Sequence, residues 1–207
     1  MGDSAFSSNA SGRRIYVYEE CVERYKSVWS DYKDSIYTNG QNCPDTTTIE
    51  YTTNDGNTIT SSKLPIISNI YDNGVGTMVI AGEITKIPNS AFYNCDSMTS
   101  VNIPDSVTTI GNDAFFDCDS LTSVNIPDSV TTIGNHAFYY CKSLTSVYSK
   151  ATTPPALGGT YVFYSNGSGR KIYVPAESVE AYKSATNWNE YASRIVGYDF
   201  ENGVVIE

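Results

Sequence analysis

Apolar and polar residues alternate along the chain in a pattern that returns at a constant interval. The stretch TSVNIPDSVTTIGN occurs at Thr99–Asn112 and again at Thr122–Asn135, which sets a period of 23 residues. Apolar residues keep this phase in four columns, namely Phe92, Phe115 and Phe138; Cys95, Cys118 and Cys141; Met98, Leu121 and Leu144; and Val101, Val124 and Val147. A fixed period in the twenties is typical of a repeat solenoid, in which each unit packs only against its neighbours.

Each repeat contains one short strand and one return segment. LTSVNIP, at Leu121–Pro127, alternates apolar and polar residues, which predicts a β-strand that ends at its proline. We expect successive strands to stack in parallel, about 4.8 Å apart, with the repeated apolar side chains directed inward. The segment at Ile110–Cys118 then returns the chain along the other side. Met78 and Ile80 lie on the phases of Val101 and Ile103, so the first repeat strand is predicted there.

The segment AFFDCDSLTSVNIPDSVTTIG closely resembles the BspA-type leucine-rich repeat of surface proteins from gut and oral bacteria and some protists. About 70 strictly periodic residues carry the resemblance. It implies a leucine-rich-repeat superhelix with a short parallel β-sheet on the concave side, an irregular or short-helical convex side, and a helical carboxyl-terminal cap. Because a scaffold defines the family, the resemblance does not fix a biochemical activity.

The carboxyl-terminal part contains a degenerate repeat and a cap. Ile172-Tyr-Val-Pro repeats the strand pattern, and the residues after Pro175 predict one or two short helices. The residues expected to face inward are Val179, Tyr182, Trp188, Tyr191 and Ile195. Ser11–Ile36 matches Ser168–Ile195 and is a second copy of this cap. We expect that the chain begins inside a longer protein; alternatively, this copy is a short coil that shields the first repeats.

Four regions are therefore predicted. Residues 1–40 are a cap-like remnant of a preceding array, 41–76 a β-hairpin lead-in, 77–149 the regular repeats, and 150–207 the degenerate last repeat with the helical cap. Within the lead-in, Asn-Asp-Gly at 54–56 predicts one hairpin turn. Asp72–Gly76 predicts a second turn, which leads into the first repeat strand.

Composition and charge narrow the class of partner. A net charge of −10 argues against binding to nucleic acid, which requires Lys and Arg to displace counterions. No apolar run reaches the length of a membrane span, and no signal peptide heads the chain. The lack of a signal peptide tells little about the compartment, whereas the abundance of Ser, Thr, Asn and Tyr, together with the resemblance, favours a cell-surface or secreted module. This chain is not expected to insert into a membrane.

Cysteine spacing predicts packing rather than metal binding. Cys95, Cys118 and Cys141 recur at the period and are expected to be buried free thiols. None of the five cysteines shows the spacing of a zinc site. A bridge between Cys21 and Cys43 is the alternative that remains open for the other two.

Catalytic groups are not arranged in a recognisable constellation. His136 shares the phase of Asp113 and Ser90, which predicts a solvated outward position. Asp105 and Asp128 stack one repeat apart and are candidates for an acid–base pair or a calcium site. A turn role is favoured, because each follows a strand-ending proline. No enzyme activity, cofactor or metal is therefore expected.

The remaining candidate is the concave strand face. Its outward columns are predicted to be Ser100, Ser123 and Ser146, and Asn102, Asn125 and Tyr148, preceded by Thr77 and Val79. Hydroxyl and amide groups suit hydrogen bonding to a glycan or peptide, and Tyr148 suits stacking; alternatively, these residues only solvate the sheet. A second row, Tyr93, Phe116 and Tyr139, is expected to pack at the rim, although an exposed aromatic patch would mark an interface.

Two functions are consistent with these features. The first is a non-enzymatic adhesion module that presents its concave face to a host or microbial surface protein or glycan. The second is a structural spacer, or stalk, in a larger surface protein. No residue in the sequence identifies the ligand.

Overall fold

The computed structural model describes residues 15–17, 36–38 and 46–206. This part of the chain is rich in strands, which are β1 (Ile15–Val17), β2 (Ile36–Thr38), β3 (Thr46–Thr53), β4 (Ile66–Asp72), β5 (Val75–Ala81), β6 (Lys86–Ile87), β7 (Met98–Asn102), β8 (Thr109–Ile110), β9 (Ser123–Ile126), β10 (Thr132–Ile133), β11 (Ser146–Ser149), β12 (Ala156–Leu157), β13 (Lys171–Pro175), β14 (Ile195–Asp199) and β15 (Val204–Ile206). Within the described ranges, one α-helix, α1 (Val179–Ser184), is flanked by 3-10 turns at Ala176–Ser178 and Asn189–Arg194.

A large sheet carries the repeat strands. Its order is β15-β14-β13-β11-β9-β7-β3-β5-β4, and β7, β9, β11, β13 and β14 run parallel to one another. The register places Val124 opposite both Val101 and Val147, one period away on either side. Parallel stacking of identical phases, which the 23-residue period predicts, is therefore confirmed.

A second, four-stranded parallel sheet lies on the return side, in the order β12-β10-β8-β6. Backbone hydrogen bonds also join the return segments that follow these strands. Phe92 N–H donates to the carbonyl of Ala114 at 2.7 Å, and Phe115 N–H donates to that of Ala137 at 2.8 Å. The return side thus consists of two-residue strands and tight turns that are linked from coil to coil, in place of short helices.

The core between the two sheets contains a column of stacked phenylalanines. Phe92, Phe115, Phe138 and Phe163 are fully buried, and successive ring centroids lie 5.1, 5.0 and 5.4 Å apart. Burial of each ring contributes roughly 1.5–3 kcal/mol, so the column is a major source of stability. Phe163 extends the column into the longer, 25-residue coil.

Strand β3 differs from the prediction for the lead-in. It lies between β5 and β7 and is antiparallel to both, so the strand that contains Met78 is not a neighbour of β7. Ile49 pairs with Met78, and Tyr51 pairs with Val101. The hairpin predicted at residues 54–56 is therefore wrong, because the ladder positions of β3 are filled by distant strands. The second hairpin, β4–β5, forms, with Asn73 and Gly74 in the left-handed region.

The cap packs against the last coil. Tyr182, Trp188, Tyr191 and Ile195 are buried as predicted, whereas Val179 is half-buried. Trp188 Nε1–H donates to the carbonyl of Pro155 at 2.7 Å, which ties the cap to the degenerate repeat.

The cap and its amino-terminal copy share one strand pairing. β13 and β14 pair in parallel with Ile172 opposite Ile195, and β1 and β2 pair in parallel with Ile15 opposite Ile36. Cys21 and Cys43 lie outside the described residues. The division of the chain into four regions stays a prediction.

Candidate ligand-binding face

The side of the large sheet that points away from the core is called the strand face here. The six predicted binding residues lie together on it in two rows across β7, β9 and β11, and all are half-buried or exposed. One row continues into Thr52 and Lys171, and the other into Glu50 and Tyr173. The two rows in strand order are Thr52, Ser100, Ser123, Ser146 and Lys171, and Glu50, Asn102, Asn125, Tyr148 and Tyr173.

The residues expected to precede these rows are displaced. Thr77 pairs with Glu50 and Val79 pairs with Thr48, so both lie one strand farther out than predicted. The reason is that β3 lies between β5 and β7 and takes the position next to β7. As a result, Glu50 of β3, which carries a carboxylate, lies beside Asn102. Period alone gives no indication of an inserted antiparallel strand, and sequence reasoning missed both Glu50 and Thr52.

The polar side chains of the strand face differ in whether they already have a hydrogen-bond partner within the described residues. Ser100 Oγ lies 2.7 Å from Thr52 Oγ1, so this pair of hydroxyls is already joined. In contrast, the side chains of Asn102, Ser123 and Asn125 form no hydrogen bond within the described residues. Their donors and acceptors are available to a ligand.

These groups border a shallow depression of about 170 Å³ between β3 and β9. Polar residues from three strands line it, together with Val75 at one side; they are Glu50, Thr52, Ser100, Asn102, Ser123 and Asn125. Pockets that enclose small molecules are usually about 300–1,000 Å³. The depression therefore suits one part of an extended ligand.

Aromatic residues occupy the other end of the strand face. Tyr148 stacks on Tyr173 with a centroid distance of 4.8 Å, and Tyr198 contacts both rings at 5.4 and 5.3 Å. One face of Tyr148 is thus covered by Tyr173, so the cluster acts as a unit. The equivalence of Tyr173 to Tyr148, 25 residues later, was a signal for the second ring, whereas Tyr198 lies beyond the repeats.

The family model for the BspA-type leucine-rich-repeat region matches residues 67–191 in six copies. The chain belongs to this family. The match begins inside β4, so β5 falls within the family's range although β3 separates it from β7. The leucine-rich repeats support a role as a protein-interaction module of the surface-repeat class.

A solved structure with similarity to the chain is a leucine-rich repeat protein from Bacteroides ovatus ATCC 8483. The two are 26% identical over 54% of this chain, with a TM-score of 0.36. The matched part spans 28% of the length of that protein. No curated protein matches the chain.

The periodic cysteines of this family member are free thiols, but they are not equally buried. Cys118 and Cys141 are buried, and each Sγ–H donates to a phenylalanine carbonyl of an earlier coil at 3.1 Å. Cys95 is only half-buried, which corrects the expectation for this position. Burial raises the pKa of the Cys95 thiol to about 11.

The sequence predicts a freely solvated side chain at His136, but in the structure this side chain contacts three neighbours. Its Nδ1 lies 3.6 Å from Asp113 Oδ1, and its ring contacts those of Tyr139 and Tyr161 at 5.2 and 6.1 Å. The backbone at His136 and Asp113 is left-handed, with φ values of 55° and 54°. The return turn therefore holds the histidine against neighbouring rings.

Asp105 and Asp128 lie in exposed turns after β7 and β9. Among the described residues, no group of three or more His, Cys, Asp or Glu side chains is placed to hold a metal ion. No described helix is both long and apolar enough to cross a membrane.

Proposed function

We propose that this protein is a non-enzymatic binding module that takes up an extended peptide or glycan on the strand face. The supporting observation is the grid of unpaired polar groups at Asn102, Ser123 and Asn125, next to the tyrosine cluster. Parallel strands repeat such groups at steps of about 4.8 Å, so an extended polymer that lies across the strands would meet them at a regular interval. Because the grid is held by a hydrogen-bonded sheet, less ordering is needed when a ligand binds.

The proposal also specifies which side of the superhelix binds, where the protein acts and which class of partner it has. The strand face is the concave side of a leucine-rich-repeat superhelix, and the protein acts at the cell surface or after secretion. Its partner is a host or microbial surface protein or glycan. Membership in a family of surface repeat proteins supports these points.

Immobilised matrix proteins, mucin and glycans provide the test. The variant Ser123→Arg/Asn125→Arg places two bulky cations on the strand face without changing a buried residue. A matched control, Thr109→Arg/Thr132→Arg, adds the same charge to the second sheet, at one half-buried and one exposed position, as in the strand-face variant. Circular dichroism and thermal unfolding establish that each variant is folded.

We expect the wild type and the control to bind one of these ligands and the strand-face variant to lose that binding. Equal binding by both double variants would show that the strand face is not the site. If none of these ligands binds to the folded wild type, the protein is better described as a spacer of a larger surface protein. The stacked, hydrogen-bonded coils suit that second role.

A further inference from the structure

The charged side chains of the strand face are sorted by sign along the direction in which the strands stack. Glu50 on β3 lies at one end of the two rows, and Lys171 on β13 lies toward the other end. Both residues are exposed. The sheet order places β7, β9 and β11 between them. The strand face therefore has an acidic end and a basic end.

The turns that follow the strands continue this order of charges. Asp105 follows β7, Asp128 follows β9 and Lys150 follows β11, and all three residues are exposed. Together with Glu50 and Lys171, they make the side of β3, β7 and β9 acidic and the side of β11 and β13 basic. Within the described ranges, none of these five charges takes part in an ion pair. Each is thus available to a charge of opposite sign on a ligand.

The middle of the strand face is polar but uncharged. Its side chains carry hydroxyl, amide and phenol groups, and they belong to Ser100, Asn102, Ser123, Asn125, Ser146 and Tyr148. The depression of about 170 Å³ gives a ligand room beside Glu50. At the other end, the stacked rings of Tyr148 and Tyr173 lie beside Lys171. A ligand that crosses the strands thus meets a carboxylate, then neutral polar groups, and then tyrosine rings and an ammonium.

The sheet order also gives the separation of the two charges. Glu50 and Lys171 are four strand spacings apart, which corresponds to about 19 Å at about 4.8 Å per strand. An extended peptide advances about 3.3 Å per residue, so about six residues cover this distance. A ligand that satisfies both ends must therefore carry two opposite charges at a defined distance.

We propose that the ligand of the strand face is an extended peptide with a cationic residue that pairs with Glu50 and an anionic residue, about six positions away, that pairs with Lys171. This inference rests on the proposed function, because it specifies the ligand of the same face. A neutral glycan has no group for either end, and an acidic glycan would be repelled by Glu50. Exposed ion pairs add little affinity, so the two charges mainly select the partner and fix its orientation.

Three capped twelve-residue peptides test the spacing. Each consists of glycine and serine with two tyrosines, one near each end, so that either orientation brings a ring to the tyrosine cluster. The first peptide carries Lys and Glu six positions apart, the second carries them side by side, and the third has Gln at both positions of the first. We expect the first peptide to bind about two- to fivefold more tightly per ion pair than the third, with a smaller gain for the second.

The first two peptides have the same composition and no net charge. The net charge of −10 on the protein therefore cannot by itself produce a difference between them. Because exposed charges are screened by salt, the preference for the first peptide should disappear at high ionic strength. Equal binding of the first two peptides at low salt would overturn the proposal.

Charge-reversal variants locate the two contacts on the protein. Glu50→Lys or Lys171→Glu alone should abolish the preference for the first peptide, because one end then repels it. The double variant Glu50→Lys/Lys171→Glu should regain most of the preference, since the peptide can bind in the opposite orientation. The matched controls Glu177→Lys and Lys86→Glu reverse exposed charges in the cap and on the second sheet, and they should bind like the wild type. A double variant no better than the single variants would contradict the pairing.

The failure of this inference can be told apart from the failure of the proposed function. If all three peptides bind equally and Ser123→Arg/Asn125→Arg abolishes their binding, the strand face is the site but the charges do not select its ligand. If only glycans bind at the strand face, the proposed function holds and the peptide is wrong. If the preference for the first peptide persists in Ser123→Arg/Asn125→Arg, both proposals fail. Thermal unfolding of each variant separates these outcomes from a loss of structure.

Discussion

The regular coils and the lead-in share one sheet but are held together differently. In the coils, residues 98–149, the hydroxyls of Thr122 and Thr131 donate to carbonyls 23 residues earlier, at 3.0 and 3.2 Å. In the described part of the lead-in, residues 46–76, the hydroxyl of Tyr51 lies 2.5 Å from Asn69 Oδ1 and accepts from Ile59 N–H at 3.3 Å. The first set of contacts repeats, and the second occurs once.

This difference determines what a substitution does in each region. A residue of the coils has the same neighbours as its equivalent one period away. The residue type that recurs at that position therefore indicates which side chain packs there. A residue of the lead-in depends on partners that no periodicity connects to it. One prediction within the coils and two comparisons between the regions test this contrast.

The largest effect is expected in the phenylalanine column of the coils. Phe115 is fully buried and stacks on Phe92 and Phe138 at 5.1 and 5.0 Å. Phe115→Ala should lower the free energy of unfolding by about 3–5 kcal/mol, because both neighbours lose a packing partner and a cavity remains. Chemical denaturation measures the change.

The next residue supplies the control. Phe116 is half-buried and stacks on Tyr93 and Tyr139, and Phe116→Ala should cost clearly less than Phe115→Ala. A loss below about 1 kcal/mol for Phe115→Ala would contradict the buried column, since Phe-to-Ala changes in a core rarely cost so little.

Sequence patterns predicted the coils well and the lead-in poorly, for a physical reason. The period fixes which residues of successive coils pair, so the columns of Phe115 and Val124 follow from counting. The position of β3 depends instead on its fit between two strands: Tyr51 fills the space next to Gly76 and pairs with Val101.

The candidate site shows the same limit. The rows of Ser123 and Asn125 come from the period, and the structure places them together as the pattern predicts. Glu50 and Tyr198 reach the strand face from non-repeating segments, so no spacing pointed to them. The contact of His136 with Tyr161 was also missed, although Tyr161 follows His136 by 25 residues and continues its column in the longer coil.

Two glycines, one in each region, should give a loss of stability of intermediate size when they are replaced by alanine. A Cβ at Gly134 would lie 2.5 Å from the backbone nitrogen of Asn112 in the preceding coil, whereas a Cβ at Gly76 would lie 2.2 Å from the ring of Tyr51. Each Gly→Ala change should cost about 1–3 kcal/mol, since both overpack a close contact. The Gly134 variant belongs at the upper end, because a backbone atom cannot rotate away.

A double substitution distinguishes the two contacts. Tyr51→Leu should remove much of the additional cost of Gly76→Ala, since it takes away the ring that the new methyl group meets. The same Tyr51→Leu change should leave the cost of Gly134→Ala unaltered. If the costs of Gly76→Ala and Tyr51→Leu are additive in denaturation curves, the ring of Tyr51 is not what excludes a side chain at position 76.

The smallest effect concerns thiol reactivity, which changes a rate and leaves stability untouched. Half-buried Cys95 lies at the boundary with the lead-in, whereas Cys118 and Cys141 lie inside the coils. The reactive species is the thiolate, and burial raises the pKa of Cys95 to about 11. Alkylation of Cys95 in the native protein should therefore be slow at neutral pH and accelerate about tenfold per pH unit up to that value, as the thiolate fraction grows.

The neighbouring Cys141 thiol and burial hold the pKa of Cys118 well above its usual range, so this thiol should stay unreactive until the coils unfold. Site-resolved mass spectrometry after timed alkylation measures each rate, with denatured protein as the fully reactive control. Equal native rates at Cys95 and Cys118, or a disulfide between any two of the three, would show that the boundary coil and the inner coils do not differ in packing.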